Sequence, residues 1–470
     1  MGITPNENIS VPLGNILLTE AFFEHFGLYG MIEGLKSKGV DLGKLTEAMV
    51  AYKLGDNFST LRCHRFAMQG PVRGHLGLPE CDVKTFYRAL EALGENREAI
   101  IAHFRRAFIE TYGVEAANYI FDWTTLVYYG SKPEDAKHGR SKDGRPEERQ
   151  VSIGVAQLSK PYRVPIGMTV MPGNAHDGNH MKATYGEVKG DMAEGSTAVF
   201  DAGANQKDVT DAIVGDGFHF VTRRKHSSSV AGVYATFPGE GWECLDGERG
   251  EHCKKVVYPS RVNYYYHSRE LHELEMLGVE RRARKKYEEA KSLQRDIEGG
   301  KRLKKRYEIG NPLIKATISL QTRLCEFSEE EAMAFLIEEE LSGYEGFYCL
   351  TSDTDMGAAE ARALYRERDV VEKLFSSMKT DIGIRPIRAW TKEGVRGVLL
   401  VAFLAQAAVS VTRFITGPAS ATATKFVADA MQKLTLTVEF GRDGRERRIL
   451  SNFDPLCVAI MRSFGVISEA

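Results

Sequence analysis

Three acids and one short charged stretch are the residues of this sequence whose types and spacing could do chemistry together. The stretch is Tyr365 to Lys379, YRERDVVEKLFSSMK. Laid on one α-helix at about 100° per residue, Tyr365 falls at about 0°, Arg368 at ~300°, Glu372 at ~340° and Lys379 at ~320°. A phenol, a guanidinium, a carboxylate and an ammonium thus share roughly 60° of arc along about 20 Å of axis. Val370, Val371, Leu374, Phe375 and Met378 occupy another arc, from roughly 140° to roughly 280°, and predict the face turned to a core. The carboxylate can hold a divalent metal; the other three groups can hold phosphates. The two further acids are Asp122, among the apolar and aromatic residues of FDWTT, and Asp201, which ends VF and precedes a flexible Ala-Gly. A charge inside an apolar strand is costly unless it is paired or metal-bound. Any one of these acids alone is more often a solvated or salt-bridged side chain. Asp122, Asp201 and Glu372 together are what a pair of Mg²⁺ ions requires for in-line attack on a phosphodiester. One ion would activate the water or 3′-hydroxyl and the other stabilise the leaving oxygen, with Mn²⁺ as the expected substitute.

These residues need a scaffold. Residues 1–115 read as a helical N-terminal domain. Leu42, Leu45, Met49 and Tyr52 recur at helical spacing, and a polar linker follows at Gly55 to Ser59. Asp82 is a natural cap for VKTFYRALEALG, with Gly94 as its stop. Lys84, Thr85, Tyr87 and Arg88 would then face outward, as in a helix-turn-helix, or as the polar face of a small bundle. Residues 116–223 predict three antiparallel strands (118–130, 151–158, 165–171), a helix (179–188), a short strand (197–200), a helix (206–214) and a fifth strand (218–222). That β-β-β-α-β-α-β order is the ribonuclease-H-like arrangement, an α/β core with a mixed sheet. Its last active-site helix is delayed by a large α+β insertion over 224–355. β-like segments are expected there at 230–236, 254–258, 263–266, 314–323 and 346–351. A charged helix over 269–306 should break at Gly278 and at Gly299-Gly300, and its basic runs RRARKK and KRLKKR suit either a solvated face or phosphate contacts. The core resumes over 356–415 with the charged helix and an apolar helix, and 416–470 adds a helix, a charged hairpin and a final helix.

Composition bounds the answer less tightly. At 470 residues, 43% hydrophobic and 27% charged, the chain is sized for several soluble domains. A formal net charge of −2 gives no global basicity, although charge can be segregated by face. Seven scattered cysteines without a C-x-x-C pair argue against a disulfide framework and place the chain in a reducing cytoplasm. Cys244, His252 and Cys253 lack a fourth zinc ligand at suitable spacing. The start of the chain shows no basic and apolar signal pattern. The apolar run from Gly397 to Thr412 is short for a bilayer and contains Gln406, so a buried core helix is expected and no membrane.

The pattern of tyrosine, two residues, arginine, three residues, glutamate, six residues and lysine is complete in Tyr365, Arg368, Glu372 and Lys379. With it, the D-x-T at Asp122, the D-x-G at Asp201, and the stretches GRSKDGRPEERQ and PGNAHDGNH resemble DDE transposases of the insertion-sequence type, the insertion-sequence-four family and its close relatives. The resemblance spans about 115–415. It implies an enzyme that binds the terminal inverted repeats of its own element, cuts there and joins 3′-hydroxyls to target DNA, as a homodimer assembled on DNA at the nucleoid. Asp122, Asp201 and Glu372 would be catalytic and hold the metals, while Tyr365, Arg368 and Lys379 would grip phosphates of the DNA end. The inserted domain would hold that end, with Trp242 or one of Tyr264 to Tyr266 available to stack on a base, though core packing suits each of them better. A ribonuclease-H-like nuclease that cuts without joining and a retired transposase acting as a DNA-binding protein are the alternatives. The intact acidic triad argues against the second.

Overall fold

The run NYIFDWTTLV, rich in β-branched and aromatic residues, forms strand β1 (Asn118–Val127), and every residue after Asn118 is buried. The structure is a computed structural model. It describes residues 8–36, 38–56, 59–129, 133–300, 328–385, 387, 389–417, 424–440 and 445–467. By contact the chain divides into two compact units, Met1–Thr222 with Ala363–Ala470, and Arg223–Arg362.

In the first unit β1 is the central strand. It pairs antiparallel with β2 (Gln150–Leu158), which pairs antiparallel with β3 (Pro165–Pro172). On its other side β1 runs parallel to β4 (Thr197–Phe200), and β4 parallel to β5 (His219–Arg224). Helix α1 (Asp177–Val188) connects β3 to β4, and α2 (Lys207–Gly215) connects β4 to β5. The order is β3-β2-β1-β4-β5, the element sequence expected above. Two later helices complete the frame of the site, α3 (Ala358–Arg366), whose last residues belong to the first unit, and α4 (Asp369–Thr380). Then comes α5 (Lys392–Ile415), whose residues from Leu399 to Thr412 are all buried. This helix is long and apolar enough to cross a membrane, but most of it lies inside the core.

The seven N-terminal helices between Gly14 and Tyr112 share one hydrophobic core with the sheet and α5, so 1–115 does not stand apart as a unit of its own. Two glycines make that packing possible. A Cβ on Gly94 would lie 1.8 Å from the Glu393 carbonyl oxygen, and one on Gly397 would lie 2.0 Å from that of Leu90. Gly94 therefore sits inside its helix, which continues to Glu95, as a close-contact residue and not as the stop. Asp82 caps that helix as expected, accepting from the Lys84 amide, and Lys84, Tyr87 and Arg88 are exposed. The C-terminal region also joins the first unit. The hairpin Thr435–Phe440 and Glu446–Ser451 pairs with an N-terminal strand, Ile9–Pro12, that sequence periodicity did not reveal.

The second unit carries an antiparallel meander of Glu243–Asp246, Glu251–Tyr258, Arg261–Ser268 and Phe347–Ser352. The segment expected as β-like near Val230 is instead a helix, Ser228–Tyr234, because Val230 and Tyr234, four residues apart, bury one face. The charged helix runs unbroken from Arg269 to Glu298 through Gly278, since burial of Ala283, Tyr287, Ala290 and Leu293 against Ala332 and Leu336 outweighs one glycine. KRLKKR and the strand expected at 314–323 lie outside the described residues. Tyr264, Tyr265 and Tyr266 are buried, and Trp242 packs on Phe237 and Phe347.

Candidate active site

The parallel register of β1 and β4 sets the first two acids. Ile120 pairs with Val199, so two residues further along each chain Asp122 and Asp201 take matching positions on one face, Asp201 just past its strand end. Glu372 comes from the first turn of α4. The three carboxylates converge on a single guanidinium, that of Arg368. Its Nη1 donates to Asp201 Oδ1 at 3.2 Å, and its Nη2 lies 3.7 Å from Asp122 Oδ2 and 3.9 Å from Glu372 Oε1. Tyr365 closes the group, accepting from Arg368 Nη1 at 2.8 Å and donating to Asp201 Oδ1 at 3.2 Å.

Tyr365 and Glu372 do not share one continuous helix. α3 ends at Arg366 and α4 starts at Asp369. Between them Glu367 and Arg368 bond back three residues, to the carbonyls of Leu364 and Tyr365. At this turn Glu367 binds Lys160 at 2.7 Å, while Arg368 reaches the acids. The tightened turn still leaves Tyr365 beside Arg368. The apolar stripe falls as expected, with Val371, Leu374, Phe375 and Met378 buried and Val370 half-buried.

Exposure grades across the acids. The Asp122 side chain is 9% exposed, that of Asp201 41% and that of Glu372 62%. Burial pushes the Asp122 carboxyl above its ordinary range, and the charges of Lys142 and Arg368 only partly offset it. For Arg368, burial works against the charge, but Tyr365, Asp122 and Asp201 outweigh it and push the pKa up.

Residues 118–407 match the family described as the transposase DDE domain. This chain belongs to that family. It is a transposase, an enzyme of DNA transposition. A solved structure, the cryo-EM structure of the piggyBac transposase synaptic complex with hairpin DNA, aligns over 89% of this chain and 79% of that one, at 9% identity and a TM-score of 0.43. No curated protein matches the chain.

DDE transposases generally use divalent metals, and the donor set here suits them. Carboxylate oxygens are the ligands hard divalent ions prefer. Among the described residues no group of three or more His, Cys, Asp or Glu side chains is close-set enough to hold an ion directly. The guanidinium stands in the middle instead. It is held loosely: two of its three carboxylate contacts exceed hydrogen-bond length, and its Nε is buried without a partner among the described residues. Asp122 remains short of compensating charge even so. The residues therefore fit a divalent cation, provided Arg368 swings aside.

Lys379 sits apart from the carboxylates. Its ammonium donates to Asp143 Oδ1 at 2.8 Å, in the loop after β1, and burial holds its pKa down. Sequence reasoning missed that partner, along with the residues that tie the motif stretches together. Trp123, next to Asp122, donates its indole N–H to Asp177 Oδ1 at 2.6 Å and stacks on the buried His180 ring. A Cβ on Gly203 would lie 2.0 Å from Asp177 Oδ2, so the glycine of the D-x-G after β4 lets the Asp177 carboxylate sit against it. A Cβ on Gly139 would lie 2.2 Å from the Gly173 carbonyl oxygen, which brings GRSKDGRPEERQ against PGNAHDGNH. The signal was present, because those stretches had been noticed; what periodicity could not supply was that they meet.

Proposed function

We propose that this transposase is of the insertion-sequence type with the Y-R-E-K signature, built on a ribonuclease-H-like core, and that it cuts the ends of its own element and joins them to target DNA. The observation that carries the reading is that carboxylates from three separate elements gather around one cationic group. In this reading Asp122, Asp201 and Glu372 hold two Mg²⁺ ions, for which Mn²⁺ substitutes. Such ions, when bound, supply activation of the attacking water or 3′-hydroxyl and charge stabilisation of the leaving oxygen. The protein's own groups do the remainder. Asp122, fixed in mid-strand and buried, is the rigid member, while Asp201 and Glu372 face the solvent side from which DNA arrives. Arg368 exchanges its carboxylates for a phosphate, with Tyr365 Oη as a second donor and Lys379 as a third. The exposed face of Lys84, Tyr87 and Arg88 contacts DNA away from the cut. The enzyme acts as a homodimer on the terminal inverted repeats and target DNA, at the nucleoid and without a membrane.

The test is a strand-transfer assay with a duplex copied from the DNA flanking the coding sequence, in Mg²⁺. Joined products are expected from the parent. Asp201→Ala should slow cleavage by at least about 10²–10³-fold, the scale of removing one preorganised electrostatic group, while binding persists. Cutting without joining would mark a nuclease, and normal cutting by Asp201→Ala would overturn the site.

A further inference from the structure

The loop between β1 and β2 places Lys142 and Asp143 side by side, and the two reach opposite parts of the site. Lys142 is latched to β1: its amide donates to Thr125 Oγ1 at 2.8 Å and its ammonium donates to the Trp123 carbonyl. The same ammonium stands 3.8 Å from Asp122 Oδ1. Asp143 turns the other way. Its Oδ1 receives both Lys379 Nζ at 2.8 Å and Arg385 Nη1 at 2.7 Å, and its side chain is 4% exposed. Its Oδ2 is buried with no partner among the described residues. Further hydrogen bonds tie the described part of the loop around this pair. Ser141 Oγ accepts from the backbone amides of Asp143 and Arg145, and the two protons of the Gln150 side-chain Nε2 are shared among the carbonyls of Gly139, Arg145 and Glu148 at 3.3–3.4 Å.

Here two cations crowd onto one oxygen while the other goes without. The result is one carboxylate with Lys379 and Arg385 held next to each other, one positive charge in excess, while Lys142 on the adjoining residue faces Asp122. Like charges set side by side repel, and the arrangement becomes favourable when an anion joins it. Arg385 is 38% exposed, so the cluster is open to an incoming group. Pinning Lys379 to Asp143 removes rotamer freedom of its long stem before DNA arrives.

We infer that Asp143 is a positioning residue that aims Lys379 and Arg385 together at a backbone phosphate of the DNA end, making Arg385 a DNA-binding residue outside the four-residue signature. The inference rests on the reading of Lys379 as a phosphate ligand given above.

The test is a double-mutant cycle of Asp143→Asn and Lys379→Ala in the full chain, with single-turnover cleavage of the flanking-DNA duplex and reductive methylation of Lys379 as readouts. Asp143→Asn preserves shape and removes the charge. It should slow cleavage by roughly 10–100-fold, the cost of losing a supporting partner. Binding should hold or tighten, with a salt slope unchanged or steeper by at most ~0.9, the equivalent of the one negative charge removed. Lys379 should become more reactive, and the double variant should cleave no more slowly than the slower single one. Arg385→Ala should flatten the salt slope by about as much. Multiplying losses, or unchanged Lys379 reactivity, would overturn the positioning role. A Lys379→Ala enzyme cleaving at the parent rate would instead overturn the phosphate reading, and the inference with it.

Discussion

Two helices of this molecule look equally charged in sequence, yet their charges do different work. On the helix Arg269–Glu298 of the second unit, Arg282 binds Glu340 at 2.7 Å and Arg284 binds Glu329 at 2.8 Å. Lys286 also reaches Glu340. Three of the five cations of RRARKK are thus met by acids of a neighbouring helix; Glu340 is 13% exposed, but Arg282 and Arg284 stay 56% exposed, where such pairs contribute about 0–1 kcal/mol. At the head of α4, Arg368 is 13% exposed and faces three carboxylates from three elements. A density of charge says little about function. What separates the two helices is burial, and whether the partners come from one neighbour or from distant parts of the chain.

The contrast can be broken by removing one arginine from each side. Arg368→Ala leaves the buried Asp122 with Lys142 as its remaining counter-charge and should cost up to about 3 kcal/mol in urea unfolding, the low end for breaking a buried pair, because Lys142 stays and Asp201 and Glu372 stay wetted. Added Mg²⁺ should restore part of that loss. A cost no greater than that of Arg282→Ala would erase the distinction.

A subtler effect is expected from Asp122→Asn. Burial raises the Asp122 carboxyl, and a carboxyl whose folded pKa exceeds its unfolded one supports folding below the unfolded pKa and loses that contribution as pH rises through the folded value. Without added metal, the variant should therefore resist urea better than the parent at neutral pH. The gap should close as pH falls below the ordinary carboxylate range. A gap that is constant across pH would contradict a raised carboxyl. The smallest effect belongs to the surface helix: Arg282→Ala should shift stability by no more than about 0.5 kcal/mol and leave cleavage unchanged.

Much of the catalytic frame was legible in the sequence. β-branched runs gave β1 to β5 in order, and the costly acids marked Asp122 and Asp201 before any register was known. The break between α3 and α4 was not legible, because the partners that Glu367 and Arg368 meet there, Lys160, Asp122 and Asp201, lie far away in the chain. Nor was the helix at Val230, where two buried contacts override β propensity. Gly94 looked like a stop because a sequence shows a glycine's freedom and not the carbonyl pressed against it. Asp143 was hidden in a polar loop whose partners lie more than two hundred residues away. Local pattern reveals elements; it does not reveal which distant side chains will share a proton or a charge.

The central claim is that three carboxylates now facing Arg368 form a divalent-cation site. Titrating the full chain with Mn²⁺, followed by the loss of the free ion's electron paramagnetic resonance signal, reads this without any DNA or turnover. Binding by the parent, weakened separately by Asp122→Asn, Asp201→Asn and Glu372→Gln, is the predicted result. Equal Mn²⁺ uptake by the parent and all three variants would contradict it.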